Sequence, residues 1–225
     1  MTYFYIGSKQ KGGRFFMKLQ LALDLVDKNG VLSEAKEFAS YVDIIEVGTP
    51  IIINEGLHAV KALAEAQPGV TVLADLKVMD AGSYEVSVAA AAGAKIVTIL
   101  AAAEDSTIKG AVEEAKKHGV EILVDMIAIK DLAGRAKELD AMGVDYICVH
   151  TGYDGQAEGE SPLEALKTVK ANVKNAKTAV AGGIKLDTVE AVIAANPDLV
   201  IVGGGITQVQ GDRVAVAKKF RELVK

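Results

Sequence analysis

The 225-residue chain has one cysteine, four prolines and no apolar run long enough to cross a bilayer as a helix. A single thiol cannot form an internal disulfide. Cys148 lies in the apolar run Tyr146-Ile147-Cys148-Val149, which reads as a buried strand thiol suited to a reducing cytoplasm. Positive charge is also scarce: 25 Lys and Arg stand against 30 Asp and Glu, a net charge of −5. A nucleic-acid binder needs a basic face to neutralise phosphates, so no nucleic-acid partner is expected, and no membrane partner either. A small anion remains compatible, because backbone N–H groups at helix starts attract negative charge without a basic surface. With 22 glycines beside so few prolines, the chain suits many short turns rather than a proline-rich linker.

Residues 1–16 contain basic side chains but no apolar core of the signal-peptide kind. The patterned sequence begins at Met17. Lys11-Gly12-Gly13 can be encoded by a purine-rich stretch resembling a bacterial ribosome-binding site. The expectation is a non-family leader over 1–16, a natural start at Met17 and one domain over 17–225. The intact mass of natively expressed protein tests it.

From Met17 onward, eight short Val-, Ile- and Leu-rich runs alternate with helical stretches. The expected strands are residues 18–24, 43–47, 71–75, 95–100, 121–125, 145–150, 177–181 and 198–202. Several lack polar alternation, as strands covered by helices should. Residues 54–66 place Leu57, Val60, Leu63 and Ala64 on one helical stripe, and residues 104–118 do so with Ile108, Val112 and Ala115. His118-Gly119 is a helix stop, and Ser161-Pro162 reads as an N-cap followed by a first-turn proline. The last helix is expected over 211–224. An open doubly wound sheet usually has fewer strands and a glycine fingerprint after the first, whereas Asp24-Leu25-Val26 follows here. The pattern predicts a single-domain α/β fold, the (β/α)8 TIM barrel.

Function in such a barrel sits at the C-terminal ends of the strands. Asp24, Glu46, Asp75, Lys77, Asp125 and His150 all fall there, with Asp80 opening the next helix. Alternation puts Gln20, Ala22 and Asp24 on one face, Ile44 and Glu46 on another, and Leu73, Asp75 and Lys77 on a third. Several carboxylates then converge on a partly dehydrated space, which is costly without compensation. Lys77 alone is insufficient, and a hard dication such as Mg²⁺ held by Glu46 and Asp75 supplies the missing charge. An ion-pair network that merely closes the barrel is the structural alternative, but stability residues do not gather at one face. Asp24 also fits an N-cap, and Asp125 stays an unassigned pocket-lining residue. His150 is the one histidine placed for proton transfer; its alternative role is to orient substrate through a hydrogen bond. Gly182-Gly183 and Gly203-Gly204-Gly205 follow the last two strands, where these barrels usually cradle phosphate.

Asp75-Leu76-Lys77-Val78-Met79-Asp80 has the Asp-x-Lys-x-x-Asp pattern and resembles the orotidine monophosphate decarboxylase suprafamily of phosphate-binding barrels. The stretches LQLALDLV, EVGTPIIINEG, ADLKVMDAG, GVDYICVHTGYDGQAEG, AGGIKLDT and DLVIVGGGIT extend the likeness from about Met17 to the C-terminus. Glu46 is similar to the glutamate of the Mg²⁺-dependent branches, where the metal-independent decarboxylases carry lysine. Tyr153 and the arginine-free Gly203-Gly204-Gly205 depart from the 3-keto-gulonate-6-phosphate decarboxylases, which carry arginines there.

The resemblance therefore implies the aldol-lyase branch, which joins formaldehyde to a sugar phosphate, D-ribulose 5-phosphate, through an enediolate. It implies His150 for proton transfer, Lys77 for charge stabilisation, Asp24 for substrate hydroxyls and the glycine loops for phosphate. It also implies a homodimer in which Asp80 serves the neighbouring site. Decarboxylation of a keto sugar acid phosphate, or a silent phosphate-binding barrel, are the alternatives.

Overall fold

The computed structural model describes residues 17–157 and 161–224. The leader expected over 1–16 lies outside the described residues. The first half runs β1 (Lys18–Leu23), α1 (Lys28–Phe38), β2 (Ile44–Val47), α2 (Thr49–Glu55), α3 (His58–Ala66), β3 (Thr71–Val78), α4 (Gly82–Ala91), β4 (Ile96–Leu100) and α5 (Asp105–His118). The second runs β5 (Glu121–Asp125), α6 (Leu132–Met142), β6 (Tyr146–His150), α7 (Tyr153–Ala157), α8 (Leu163–Asn172), β7 (Lys177–Ala181), α9 (Val189–Ala194), β8 (Leu199–Val202), α10 (Gly204–Thr207) and α11 (Arg213–Leu223). All neighbouring strands are parallel, and β8 pairs with β1 to close an eight-stranded barrel. This is the single-domain TIM barrel expected from the alternating pattern.

Two apolar layers hold it. Outward-facing strand residues such as Leu19, Leu21 and Ile45 pack against Phe38, Leu63 and Phe220 of the surrounding helices. Burying each such side chain is worth about 1.5–3 kcal/mol. Inward-facing residues, including Ile44, Leu73, Ile96, Leu123 and Tyr146, fill the lumen. The lumen of the barrel is thus packed, and in barrels of this kind chemistry falls to the C-terminal mouth.

The N-terminal edge is closed by a repeated device. Asp43, Asp145 and Asp198 stand one residue before β2, β6 and β8, and their carboxylates accept backbone N–H bonds from Leu19, Ile122 and Thr178 at 2.7–2.8 Å. Each side chain takes the place of a ladder bond. β2, β6 and β8, like β4, begin one residue later than their composition suggests.

Three further expectations need correction. The helix expected over 54–66 is two helices, because Gly56 adopts φ 61° and ends α2 before α3 begins. The N-cap of α8 is Pro162, one residue after the expected Ser161. Strand β3 runs to Val78 rather than stopping at Asp75, and it carries a bulge. There β3 advances from Ala74 to Val78 while β4 advances only from Val97 to Ile99, and Lys77 takes a left-handed φ of 47°. Such a φ is unusual for a side chain of this kind and points to an imposed conformation. By contrast, Gly119 caps α5 in the left-handed conformation, as its position after His118 leads one to expect.

Candidate active site

The mouth is built from strand ends. Glu46 of β2 registers with Leu73 of β3, so Asp75, two residues on, projects from the same inner face beside it. Both carboxylates are buried, Glu46 8% exposed and Asp75 4%. Asp75 is firmly held: Thr98 donates to Oδ1 at 2.7 Å, while Thr49 donates at 2.7 Å and Lys77 Nζ also donates to Oδ2. The Lys77 N–H bonds Thr98 Oγ1 at 2.9 Å. Simple alternation therefore is not what brings Lys77 inward. The bulge turns its backbone, and Thr98 and Asp75 fix both ends of the residue. Glu46 has a single partner among the described residues, Gln20, whose Nε2 donates to Oε2 at 2.6 Å.

A second group faces the first. His150 Nδ1 lies 2.8 Å from Asp125 Oδ2, and Asp125 Oδ1 accepts the Ile127 N–H at 2.9 Å. Lys77 Nζ is 3.9 Å from Asp125 Oδ2 and so bridges the two groups. An acceptor-only carboxylate at Nδ1 makes that nitrogen the N–H donor and leaves Nε2 as the base. Asp125, without an assigned role in the sequence, is thus the partner of His150. Asp24 sits on the rim and does not cap α1: Asp27 does, accepting the Gly30 N–H at 2.8 Å. A Cβ added to Gly48 would overlap Asp24 Oδ1, and one on Gly203 would stand 3.7 Å from Oδ2. The Asp24 carboxylate therefore spans from the end of β2 to the loop after β8.

Charge is unevenly balanced here. Burial first, then Asp75 and Asp24, push the Glu46 carboxyl well above its ordinary value. Burial and Asp75 raise Asp24 as well. Burial also acts to raise Asp75, but the Lys77 charge and the hydrogen bonds from Lys77, Thr49 and Thr98 outweigh it, and the net shift is downward. Desolvation works against the Lys77 cation, yet Asp75, Glu46 and Asp125 more than offset it and raise its pKa. Lys77 pairs directly with Asp75 and acts on Glu46 only at longer range, so Glu46 is a buried acid with no ion-pair partner among the described residues. Two buried carboxylates with one ammonium form a donor set that fits a hard dication. Among the described residues, no group of three or more His, Cys, Asp or Glu is arranged to hold a metal ion. A cation here would draw two carboxylates from the chain and complete its shell with other oxygens, as Mg²⁺ commonly does.

The glycine loops meet on the opposite side of the mouth. Gly182 and Gly183 have φ of 100° and 67°. A Cβ on Gly182 would overlap the Thr151 carbonyl, and one on Gly205 the Ile184 carbonyl. Only glycine allows these backbones to approach so closely. Gly203 precedes the short helix α10, which leaves the N–H groups of Gly204 and Gly205 at a helix start, where no intrahelical acceptor exists for them.

Asp80 is not in this cluster. It is exposed and accepts the Ala81 N–H at 2.7 Å. The residues that composition alone does not single out are Gln20, Thr49, Thr98 and Gly48. Thr98 is the one polar side chain within Ile96-Val97-Thr98-Ile99, a signal that could have found it. Gly48 leaves no such trace, because its role is to make room for Asp24.

The chain belongs to the Orotidine 5′-phosphate decarboxylase / HUMPS family, whose model matches residues 17–220. Within it, the chain is 61% identical over 208 residues to the 3-hexulose-6-phosphate synthase of Bacillus subtilis, covering 92% of this chain and 99% of that protein. It is 59% identical over 209 residues to 3-hexulose-6-phosphate synthase 3 of Staphylococcus saprophyticus, covering 93% and 99%. Among solved structures, the 3-hexulose-6-phosphate synthase of Salmonella typhimurium superposes with a TM-score of 0.90 at 41% identity, over 92% of this chain and 98% of that one. The 3-keto-L-gulonate-6-phosphate decarboxylase of Vibrio cholerae gives 0.82 at 25% identity, over 93% and 97%.

Proposed function

We propose that the protein is an aldol lyase that joins formaldehyde to D-ribulose 5-phosphate, giving D-arabino-hex-3-ulose 6-phosphate in a reversible reaction. The observation that carries this is 61% identity with a named 3-hexulose-6-phosphate synthase along almost the whole of both chains. The site chemistry agrees with it. Asp125 holds His150 Nδ1, so Nε2 is free to take the C1 proton of the pentulose. The resulting enediolate carbon attacks formaldehyde, forming the new C–C bond. His150 then returns its proton to the formaldehyde oxygen, and no other reactant is needed. Lys77, kept protonated by Asp75, offsets the negative charge that develops on the substrate oxygens.

Glu46 and Asp75 would hold Mg²⁺, a hard dication suited to two buried carboxylates that share a single ammonium. When bound it supplies Lewis-acid stabilisation to a substrate carbonyl. Asp24 reaches between the two halves of the mouth and positions sugar hydroxyls. The loops of Gly182-Gly183 and Gly203-Gly204-Gly205 take the phosphate, remote from the bond-making carbon. Asp80, turned outward beside exposed Met79 and Tyr84, fits a homodimer in which it serves the neighbouring subunit's site. No helix among the described residues is long and apolar enough to cross a membrane. Together with the lone buried thiol of Cys148, this favours a cytoplasmic enzyme.

Incubation with D-ribulose 5-phosphate, formaldehyde and Mg²⁺ tests the proposal. Formaldehyde should disappear in step with pentulose phosphate, giving a hexulose phosphate. Failure to consume formaldehyde, with release of CO2 from a keto sugar acid phosphate instead, would assign the site to decarboxylation.

A further inference from the structure

We infer that Gln20 is a positioning residue for Glu46, and that its amide fixes the carboxylate in the orientation that leaves one oxygen for a divalent cation. The inference rests on the Mg²⁺ reading of the site. Gln20 lies on β1, 1% exposed, in register with Ile44 of β2 and Ile201 of β8. Its register partners Ile44 and Ile201 are apolar, so cross-strand packing does not itself call for an amide there. A buried amide there is unfavourable unless its groups are satisfied. Only half of it is. Nε2 donates to Glu46 Oε2, while Oε1 has no partner among the described residues. Packing stability therefore does not account for glutamine at this position.

Direction does account for it. With Nε2 facing Glu46, an N–H meets a carboxylate oxygen; with the amide turned over, two lone-pair-bearing oxygens would face each other. The amide has one workable orientation, and the unpartnered Oε1 is its consequence. Asp75 is held by three side chains, Thr49, Thr98 and Lys77, whereas Gln20 is the sole hydrogen-bond partner of Glu46 among the described residues. Without it the carboxylate can rotate within its space and loses the donor that favours its ionised form. Groups that orient a metal-binding side chain in this way typically govern affinity by about 10–100-fold.

The test is Mg²⁺ binding to the substrate-free protein by calorimetry, on the wild type, Gln20→Met and Gln20→Ala. Methionine keeps the length of the side chain without a donor, and alanine guards against overpacking. Far-UV circular dichroism and thermal midpoints establish that the variants are folded. Both should bind Mg²⁺ about 10–100-fold more weakly, and the Mg²⁺ concentration giving half-maximal turnover should rise by a similar factor. Folded variants that bind Mg²⁺ within twofold of wild type would overturn the role of Gln20 and leave the metal reading standing. A wild-type protein that takes up no Mg²⁺ would remove the metal reading and this inference together.

Discussion

Exchanging Glu46 for glutamine removes one buried charge while keeping the shape of the side chain, and Gln20 Nε2 can still donate to the new amide oxygen. Two opposite effects should follow. Turnover should fall, because a Lewis-acid contribution of several kcal/mol depends on that carboxylate. A loss of about 3–4 kcal/mol corresponds to about 10²–10³-fold in kcat/KM. Metal-free stability should move the other way. The folded pKa of Glu46 lies well above its ordinary, unfolded value. Ionising it thus destabilises the fold progressively as pH rises from the unfolded value through the folded one, by about 1.4 kcal/mol per pH unit. Below the unfolded value the term vanishes, and above the folded value it is constant. Denaturant melts of both proteins from pH 4 to 9 in chelator should show wild type losing ground to Glu46→Gln as pH rises. Adding Mg²⁺ should restore wild type and leave the variant unmoved. Equal turnover in the two proteins, or parallel stability curves with and without Mg²⁺, would show that Glu46 neither holds the metal nor destabilises the fold when ionised.

Other perturbations probe separate parts of the site. Asp125→Asn removes the charge that fixes the His150 tautomer and should lower kcat by about 10²–10⁴-fold with a smaller change in KM, measured by steady-state kinetics. Gly205→Ala places a Cβ against the Ile184 carbonyl and should cost up to about 10²-fold in kcat/KM through misplacement of the sugar phosphate. Gly69→Ala, with open space around it, serves as the control and should change little. Asp140→Asn tests the scaffold: its carboxylate accepts N–H bonds from Lys174, Asn175 and Ala176. Burial alone would raise its pKa, but these bonds outweigh burial and lower it. Its stabilisation is present above the ordinary aspartate value and fades as pH falls through the lower folded value. The variant should lose about 1–3 kcal/mol at neutral pH in denaturant melts, with the gap closing in acid.

Much of the barrel is legible in the chain because buried parallel strands are both apolar and evenly spaced. The eight runs found by composition are the eight strands of the structure, within a few residues at each end. The acidic strand ends stand out for the same reason, since Glu46 and Asp75 interrupt runs that burial should keep apolar. Local backbone geometry is harder to read. Nothing in Ala74-Asp75-Leu76-Lys77-Val78 announces a bulge, which depends on how β4 pairs across from it. Gly56 carries a signal, but the stripe Leu57, Val60, Leu63 and Ala64 lies wholly after it, so the short helix before it leaves no periodic trace. Asp24 has the residue type of a cap, yet Asp27 occupies that role. Gln20 and Thr98 are visible as polar side chains, and their functions emerge only once β1, β2, β3 and β4 are side by side.

The proposed chemistry requires that carboxylates from separate strands, which meet in one mouth, share a dication there. A crystal structure with D-ribulose 5-phosphate and Mg²⁺ bound addresses it most directly. One ion should lie within about 2.0–2.1 Å of oxygens from both Glu46 and Asp75. Sugar oxygens should complete the ion's shell, with phosphate against the Gly182-Gly183 and Gly203-Gly204-Gly205 loops. An ion bound elsewhere, or a sugar phosphate lying away from this mouth, would contradict it.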